Sequence, residues 1–239
     1  MRLRRLLANT RRLVKSITRR FIIYMPAGPL RGMRIAAVAG PKFLLGKYEQ
    51  EFFKAFKQSI KRGMVVYDVG AHWGFYSLIA ARLTGVSGQV IAFEPLPNNI
   101  QILRKNLIAN KIRNVSLIEA AVAEQDGLAR FDPGDDTGLG HLSSEGSLEV
   151  RVVSLDSLWE KKEIPPPAVI KIDVEGAEEL VLKGAQQLLT RFHPTLLIEI
   201  HGKDQFHRCY ELLTSMDYVL TKLQDDKRVM YHVEQNLRR

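Results

Sequence analysis

The chain of 239 residues lacks the features that mark several protein classes. It has one cysteine, Cys209, so no disulfide can form within it, and nothing in its composition calls for an oxidising compartment. The longest apolar run near its start, Phe21–Met25, is too short for the core of a signal peptide or for a membrane span. Its 46% of hydrophobic and 26% of charged residues are typical of a globular protein, and we expect a cytoplasmic one with a substantial core.

Acidic residues are also missing from the first 48 positions, since the first one is Glu49. Residues 1–20 hold eight Arg and Lys. Subtracting these eight from the 35 Lys and Arg of the chain leaves 27, against 26 Asp and Glu. The formal net charge of +9 therefore belongs mainly to this terminal segment. A nearly neutral body argues against specific nucleic-acid binding, which needs a basic face.

The basic segment has helical periodicity, because its apolar residues recur at steps of three and four from Leu3 to Phe21. We predict a basic amphipathic helix over residues 1–25. Two interpretations stay open: the helix contacts an anionic membrane surface, or it packs its leucines on the rest of the protein. An Arg-rich start is also typical of mitochondrial transit peptides, but this one has few hydroxyl residues.

Residues 26–239 are predicted to form one domain in which apolar strands alternate with helices. The expected strands are Met64–Val69, Val90–Phe93, Val115–Val122, Val169–Ile172 and Thr195–Ile200. The expected helices are 48–62, Phe75–Leu83, Asn98–Asn110, Glu178–Leu189 and Gln205–Met216. An inserted hairpin is expected near Leu128–Phe131 and Leu148–Val153, around a mobile loop Pro133–Gly146, and a second hairpin closes the chain at Tyr218–Leu223 and Arg228–Val233. Such continuous apolar strands predict an α/β fold with a parallel sheet covered on both faces.

The loop after the first predicted strand is the first motif that points to chemistry. It reads Asp68-Val69-Gly70-Ala71-His72-Trp73-Gly74. Glycines here let the backbone approach a ligand, and the following helix N-terminus favours a negative group. The phosphate-binding pattern GxxxxGK[ST] and the dinucleotide pattern GxGxxG are both absent. The spacing resembles DxGxxxG, the S-adenosylmethionine loop of class I methyltransferases.

Acidic motifs stand at the ends of two later strands. Glu94 lies 24 residues after Gly70 and is followed by Pro95. A carboxylate at that position can accept both hydroxyls of a cofactor ribose, although a solvated strand-end acid is the plainer interpretation. The third motif is Lys171–Glu178, in which strand alternation puts Lys171 and Asp173 on the same side. Its glutamates could also serve only to favour a helix N-terminus.

Together these motifs resemble the FkbM-type methyltransferases. The resemblance covers roughly residues 46–202 and rests on DVGAHWGFYSL, AFEPLPNN and IKIDVEGAE in that order. It implies a Rossmann-like class I methyltransferase fold, with a seven-stranded, mostly parallel sheet, helices on both faces and an antiparallel C-terminal hairpin. It also implies S-adenosylmethionine as methyl donor and, as acceptor, a hydroxyl on a sugar, a glycan or another small molecule.

The resemblance further implies which residues contact S-adenosylmethionine. Those expected to line its methionine part or to orient the loop and its amino group are Asp68, Gly70, Ala71 and Gly74. Those expected beside the ribose and adenine are Glu94, Pro95, Ala121 and Val122. Two weaker candidates for cofactor contact are Glu49 and Asn98.

An alcohol is a weak nucleophile at neutral pH and benefits from a general base. The candidates are Asp173, which the motif supports, and His201, whose residue type has the better pKa. His72 and His141 are weaker candidates. Asp173 and Glu175 could contribute to a divalent metal site, but no full ligand set is visible, so the sequence predicts no metal.

Two other functions stay open at this point. The first is a methyltransferase that acts on RNA or protein and is recruited by the basic residues 1–20. The second is a binding module that has the fold but no activity. The intact glycine loop, the ribose acid and the third motif argue against the binding module.

Overall fold

The computed structural model describes residues 21–37, 50–132, 141–142, 145–225 and 229–235. Residues 1–20, which carry nearly all of the predicted basic helix, lie outside this part, as do Glu49 and most of the predicted mobile loop. Ile22–Tyr24 is the short strand β1, which pairs antiparallel with β2 (Arg34–Ala36). The helix predicted to reach residue 25 is therefore wrong over its last residues, because these apolar and aromatic side chains pair with a second strand instead.

Seven strands form the central sheet. They are β3 (Val65–Val69), β4 (Gln89–Phe93), β5 (Val115–Ile118), β10 (Val169–Ile172), β11 (Thr195–Ile200), β12 (Tyr218–Asp225) and β13 (Val229–Gln235). Their order across the sheet is β12-β13-β11-β10-β3-β4-β5. Strands β3, β4, β5, β10 and β11 are parallel, and β13 is antiparallel to both of its neighbours. The predicted sheet and its closing antiparallel hairpin are confirmed.

Helices cover both faces of this sheet, as predicted. They are α1 (Gln50–Ser59), α2 (Phe75–Thr84), α3 (Pro97–Ala109), α4 (Leu155–Glu160), α5 (Glu178–Lys183), α6 (Gln186–Phe192) and α7 (Lys203–Ser215). Helices α1 to α3 contribute to one apolar cluster of the core, and α4 to α7 contribute to a second. Within the described ranges, no helix has the length and apolar character needed to cross a membrane.

The helix predicted over Glu178–Leu189 is two helices, with a break at Gly184 and Ala185. A Cβ atom on Gly184 would lie 2.0 Å from the carbonyl oxygen of Ala123, so the chain passes too close for a side chain at this point. Helix α4 was not expected at all. It begins after Ser154, whose side chain accepts a hydrogen bond from the backbone N–H of Ser157.

A smaller sheet is inserted between β5 and α4. Its strands are β6 (Ala121–Val122), β7 (Gly127–Asp132), β8 (His141–Leu142) and β9 (Leu148–Val153), in the order β6-β9-β7-β8. The two inserted strands predicted near Leu128–Phe131 and Leu148–Val153 are confirmed as β7 and β9. The single strand predicted over Val115–Val122 is wrong, because a tight turn, with the Ala120 N–H on the Ile118 carbonyl, separates β5 from β6.

Candidate active site

The glycine loop joins the carboxyl end of β3 to α2. The backbone N–H groups of Gly70 and Ala71 both donate to the carbonyl of Phe93, at 3.1 and 2.9 Å, which fixes the loop to the end of β4. Gly70 has φ +79°, and a Cβ atom there would lie 1.9 Å from the carbonyl oxygen of Asp173. Gly74 has φ +93°, and its Cβ would lie 2.2 Å from Cδ1 of Leu103. Both glycines are therefore required by backbone conformation and by close packing.

Asp68 lies fully buried beneath this loop. Its Oδ2 accepts a hydrogen bond of 2.6 Å from the Ser77 hydroxyl, and its Oδ1 lies 3.3 Å from Nζ of Lys171. The two charged residues meet because β3 and β10 pair in a register that sets them side by side. Lys171 also donates to the carbonyl oxygen of Gly70 at 2.9 Å. The buried pair of Asp68 and Lys171 thus connects β3 and β10 with the glycine loop and, through Ser77, with α2.

Glu94 lies at the end of β4 and is almost completely buried. Its Oε2 accepts a hydrogen bond of 2.7 Å from the backbone N–H of His72, and its Oε1 accepts from the N–H of Leu96 and from the Asn99 side chain. Burial raises the pKa of Glu94 above its ordinary value, and this effect outweighs the hydrogen bonds and the charge of Lys171, which act in the opposite direction. The carboxylate links the glycine loop to the start of α3.

Asn99, which the sequence motifs do not single out, contacts Glu94 directly. Asn98, which was a candidate for cofactor contact, is exposed on α3, whereas Asn99 is buried and donates to Glu94 at 3.1 Å. The two positions differ by about 100° around a helix. Which asparagine faces Glu94 therefore depends on where the helix begins. Helix α3 begins at Pro97, one residue earlier than predicted. A proline followed by two asparagines was the available signal.

The remaining candidates, some for cofactor contact and two histidines for the general base, lie in different surroundings. Ala121 and Val122 are buried in β6, at the start of the inserted sheet, and Pro95 is partly exposed after β4. His72 lies in the glycine loop with a left-handed backbone, φ 52°, and its N–H is bonded to Glu94. Glu49 lies outside the described residues, and so does the side chain of His141.

The structure brings the two candidate bases together. Asp173 directly follows β10 and His201 directly follows β11, and the two strands are paired up to Ile172 and Ile198. Both side chains reach solvent, with 24% and 22% of their surface exposed. Oδ2 of Asp173 lies 3.7 Å from Nζ of Lys171, which confirms that these two residues share one side of β10.

Carboxylates surround the imidazole of His201. Its Nδ1 lies 2.8 Å from Oε1 of Glu178, and its Nε2 lies 3.1 Å from Oε1 of Glu199 and 3.3 Å from Oε2 of Glu175. Burial lowers the pKa of His201, but the contacts with Glu178 and Glu199 outweigh burial and raise it to about 10. An imidazole with that pKa is protonated at neutral pH and has no lone pair with which to accept a proton. This rise in the pKa disfavours His201 as a general base relative to Asp173.

The sequence matches a known protein family and characterised relatives. A family model for the methyltransferase FkbM domain matches residues 68–220. Hexuronic acid methyltransferase AglP of Haloferax volcanii is 28% identical over 242 residues, which cover 94% of this chain and 99% of the relative. The 31-O-demethyl-FK506 methyltransferase FkbM of Streptomyces tacrolimicus is 26% identical over 61% of this chain and 68% of its own length.

The fold agrees with a solved structure as well. Methyltransferase FkbM from Methylobacillus flagellatus KT superposes with a TM-score of 0.55 at 18% identity, over 80% of this chain and 52% of that one. At this identity the likeness concerns the fold, and it confirms the predicted Rossmann-like class I methyltransferase architecture. The family match extends over more than half of the sequence and includes the glycine loop, Glu94 and both candidate bases. The chain therefore belongs to the FkbM methyltransferase domain family and is a methyltransferase.

Proposed function

We propose that this protein transfers a methyl group from S-adenosylmethionine to a hydroxyl oxygen of a sugar or glycan. The observation that carries the proposal is Glu94, a buried carboxylate held by the backbone of the glycine loop at the carboxyl edge of the sheet. Cofactors of open α/β sheets bind at that edge. The relative whose name gives hexuronic acid as its substrate supports a sugar acceptor.

The proposed cofactor site uses the hydrogen-bonding capacity that Glu94 retains. A carboxylate has about four acceptor positions, and three are used by His72, Leu96 and Asn99. Oε2 accepts only the His72 N–H among these bonds, so it is the atom we assign to a ribose hydroxyl. The Gly70–Gly74 loop, which is fixed to the end of β4 at the same carboxyl edge of the sheet, would then face the methionine part.

Asp173 is the general base in this proposal. The acceptor oxygen attacks the methyl carbon in line with the sulfur, so that an O–C bond forms while the S–C bond breaks and S-adenosylhomocysteine leaves. The hydroxyl proton passes to the Asp173 carboxylate. Since the sulfonium donor is already activated, positioning supplies much of the acceleration. Replacing Asp173 with Asn should lower kcat about 10²- to 10⁴-fold and leave cofactor affinity within a few-fold.

Two measurements test the proposed function. Calorimetry with S-adenosylmethionine should give one site per chain. A labelled methyl donor is then supplied together with neutral sugars, uronic acid glycans, small polyhydroxylated molecules, RNA or protein. We expect the label to be transferred to a sugar or glycan. Transfer to RNA or protein alone would replace the sugar acceptor with the second hypothesis. Absence of cofactor binding by the folded parent protein would overturn the proposal.

We also propose that the enzyme is cytoplasmic and that the start of the chain holds it at an anionic membrane surface. Residues 1–20 carry eight basic side chains and no acid, and they lead directly into Phe21 and Tyr24, which are 61% and 62% exposed. Apolar side chains beside a basic segment suit a charged lipid interface. The full chain should pellet with vesicles containing phosphatidylglycerol but not with phosphatidylcholine alone. Equal pelleting by a variant lacking residues 1–20 would contradict this role.

A further inference from the structure

The cluster around His201 has a composition that a general base does not require. One ligand atom each from Asp173, Glu199 and His201 lie within 4.8 Å of one another. Metal–ligand bonds of about 2.1 Å in an octahedron separate neighbouring donor atoms by about 3 Å and opposite ones by about 4.2 Å. One cation fits among these three donors without a large movement. The pairing of β10 with β11 brings these donors together. Ile172 lies opposite Ile198 in the two strands, and Asp173 and Glu199 are the residues that follow them.

His201 is already oriented as a metal ligand. Its Nδ1 is bonded to Oε1 of Glu178 at 2.8 Å, and the same oxygen accepts the backbone N–H of Gly176 at 2.9 Å. Nε2 lies between two carboxylates, close to Oε1 of Glu199 and Oε2 of Glu175. A histidine that donates from one nitrogen to a carboxylate and presents the other nitrogen to a cation is the usual arrangement at metal centres.

The charge of the cluster gives a second, independent reason. Four carboxylates, from Asp173, Glu175, Glu178 and Glu199, lie around one imidazole. Glu178 and Glu199 are 0% and 1% exposed, and Oε2 of Glu178 has no hydrogen-bond partner within the described ranges. Lys171 reaches Asp173, but it is shared with Asp68. Buried carboxylates that outnumber the cations near them are costly, and a divalent ion would offset that excess.

We propose that Asp173, Glu199 and His201 bind one divalent cation of the Mn²⁺ or Mg²⁺ class, with Glu178 fixing the imidazole. Two carboxylates with a single imidazole form an oxygen-rich set, which favours these ions. Three protein ligands leave about three octahedral positions, which water and the acceptor hydroxyl can occupy. The role of the cation rests on the proposed function: it would orient the acceptor oxygen and lower its pKa. The second oxygen of Asp173 would stay available for the proton.

Binding of Mn²⁺ alone tests the site, without cofactor or acceptor. The full chain, treated with EDTA and dialysed, is titrated with MnCl₂ at pH 7.5 while electron paramagnetic resonance reports the free ion. We expect one ion per chain and displacement by excess Mg²⁺. Glu199→Gln and His201→Gln should each weaken binding more than about 10-fold, and Glu178→Gln about 10- to 100-fold.

Matched controls are available on α7. Glu211→Gln and His207→Gln change the same residue types at exposed positions and should bind Mn²⁺ as the parent does. Mn²⁺ should raise the unfolding temperature of the parent and of these controls but not of Glu199→Gln, whose folding is checked by circular dichroism. No saturable binding by the parent, or equal binding by the site variants, would overturn the inference.

Calorimetry with S-adenosylmethionine on the same metal-free protein separates this result from the proposed function. Cofactor binding without Mn²⁺ binding removes only the cation site. Mn²⁺ binding without cofactor binding removes the proposed function.

Discussion

Replacing Glu94 with Gln tests the cofactor site most directly. Gln has the same shape but carries one NH₂ group in place of a carboxylate oxygen. Its carbonyl oxygen can keep the bonds from Leu96 and Asn99, since both donors reach Oε1. The NH₂ group then faces the His72 N–H, which loses its acceptor at 2.7 Å.

The magnitude for stability follows from two opposing effects. A buried N–H without an acceptor costs about 1–3 kcal/mol. Removing a buried charge offsets part of this cost, because burial raises the pKa of Glu94 and so opposes its ionised form in the folded protein. We expect the free energy of unfolding to fall by less than about 2 kcal/mol. For a chain of this size, the Tm should then fall by at most about 8 °C.

The effect on cofactor affinity should be larger. Hydrogen bonds to a charged group contribute about 1.5–3 kcal/mol, so loss of the ribose contact should raise the Kd for S-adenosylmethionine about 10- to 100-fold. Calorimetry measures the Kd, and thermal unfolding checks the fold. Glu119→Gln is the matched control, since Glu119 is exposed and pairs with Arg104 on the surface. A Kd for Glu94→Gln within two-fold of the parent, in a folded protein, would show that Glu94 does not hold the ribose.

Three further expectations concern stability and reactivity. Gly70→Ala should destabilise the fold by more than about 1 kcal/mol in urea unfolding, because of its positive φ and the close carbonyl oxygen, whereas Gly127→Ala, with open space around it, should change little. Burial and nearby glutamates raise the pKa of Cys209 to about 12, so DTNB should modify it at least about 100-fold more slowly in the folded than in the unfolded chain. Hydrogen bonds from Lys161 and from two serines lower the pKa of Asp126 to about 2. Asp126→Asn should therefore reduce the free energy of unfolding by less than about 1 kcal/mol above pH 5. This difference from the parent should disappear as the pH falls towards 2. A destabilisation by Asp126→Asn that grew as the pH fell would contradict the lowered pKa of Asp126.

Strand patterns in this chain were predictable because they are local. β10 and β11 have the bounds that the sequence predicts, Val169–Ile172 and Thr195–Ile200. Every residue of β10 is buried, and so is every residue of β11 after its first, which explains why both strands are continuous apolar runs. The glycine loop was predictable for a similar reason, since its two glycines satisfy backbone requirements at fixed spacing.

Features that depend on distant contacts could not be found in the same way. The break between α5 and α6 exists because Gly184 passes close to the Ala123 carbonyl, 61 positions earlier in the chain. The contact of Asn99 with Glu94 depends on where α3 begins, and Asn98 stays a predicted cofactor contact. The pKa of His201 depends on Glu178 and Glu199, whose approach to the ring is fixed by the fold rather than by a local pattern.

Glu178 shows how a plain interpretation of a motif can be correct and incomplete. The sequence offers it as an acidic residue that favours a helix N-terminus, and it is indeed the first residue of α5. Its neighbour Glu179 fits that description, with Lys183 and Arg208 as surface partners. Glu178, however, is fully buried, and one of its oxygens bonds both the Gly176 N–H and the His201 ring. A helix N-terminus alone does not explain a buried carboxyl group, whereas the contact with His201 gives this group a polar partner inside the protein.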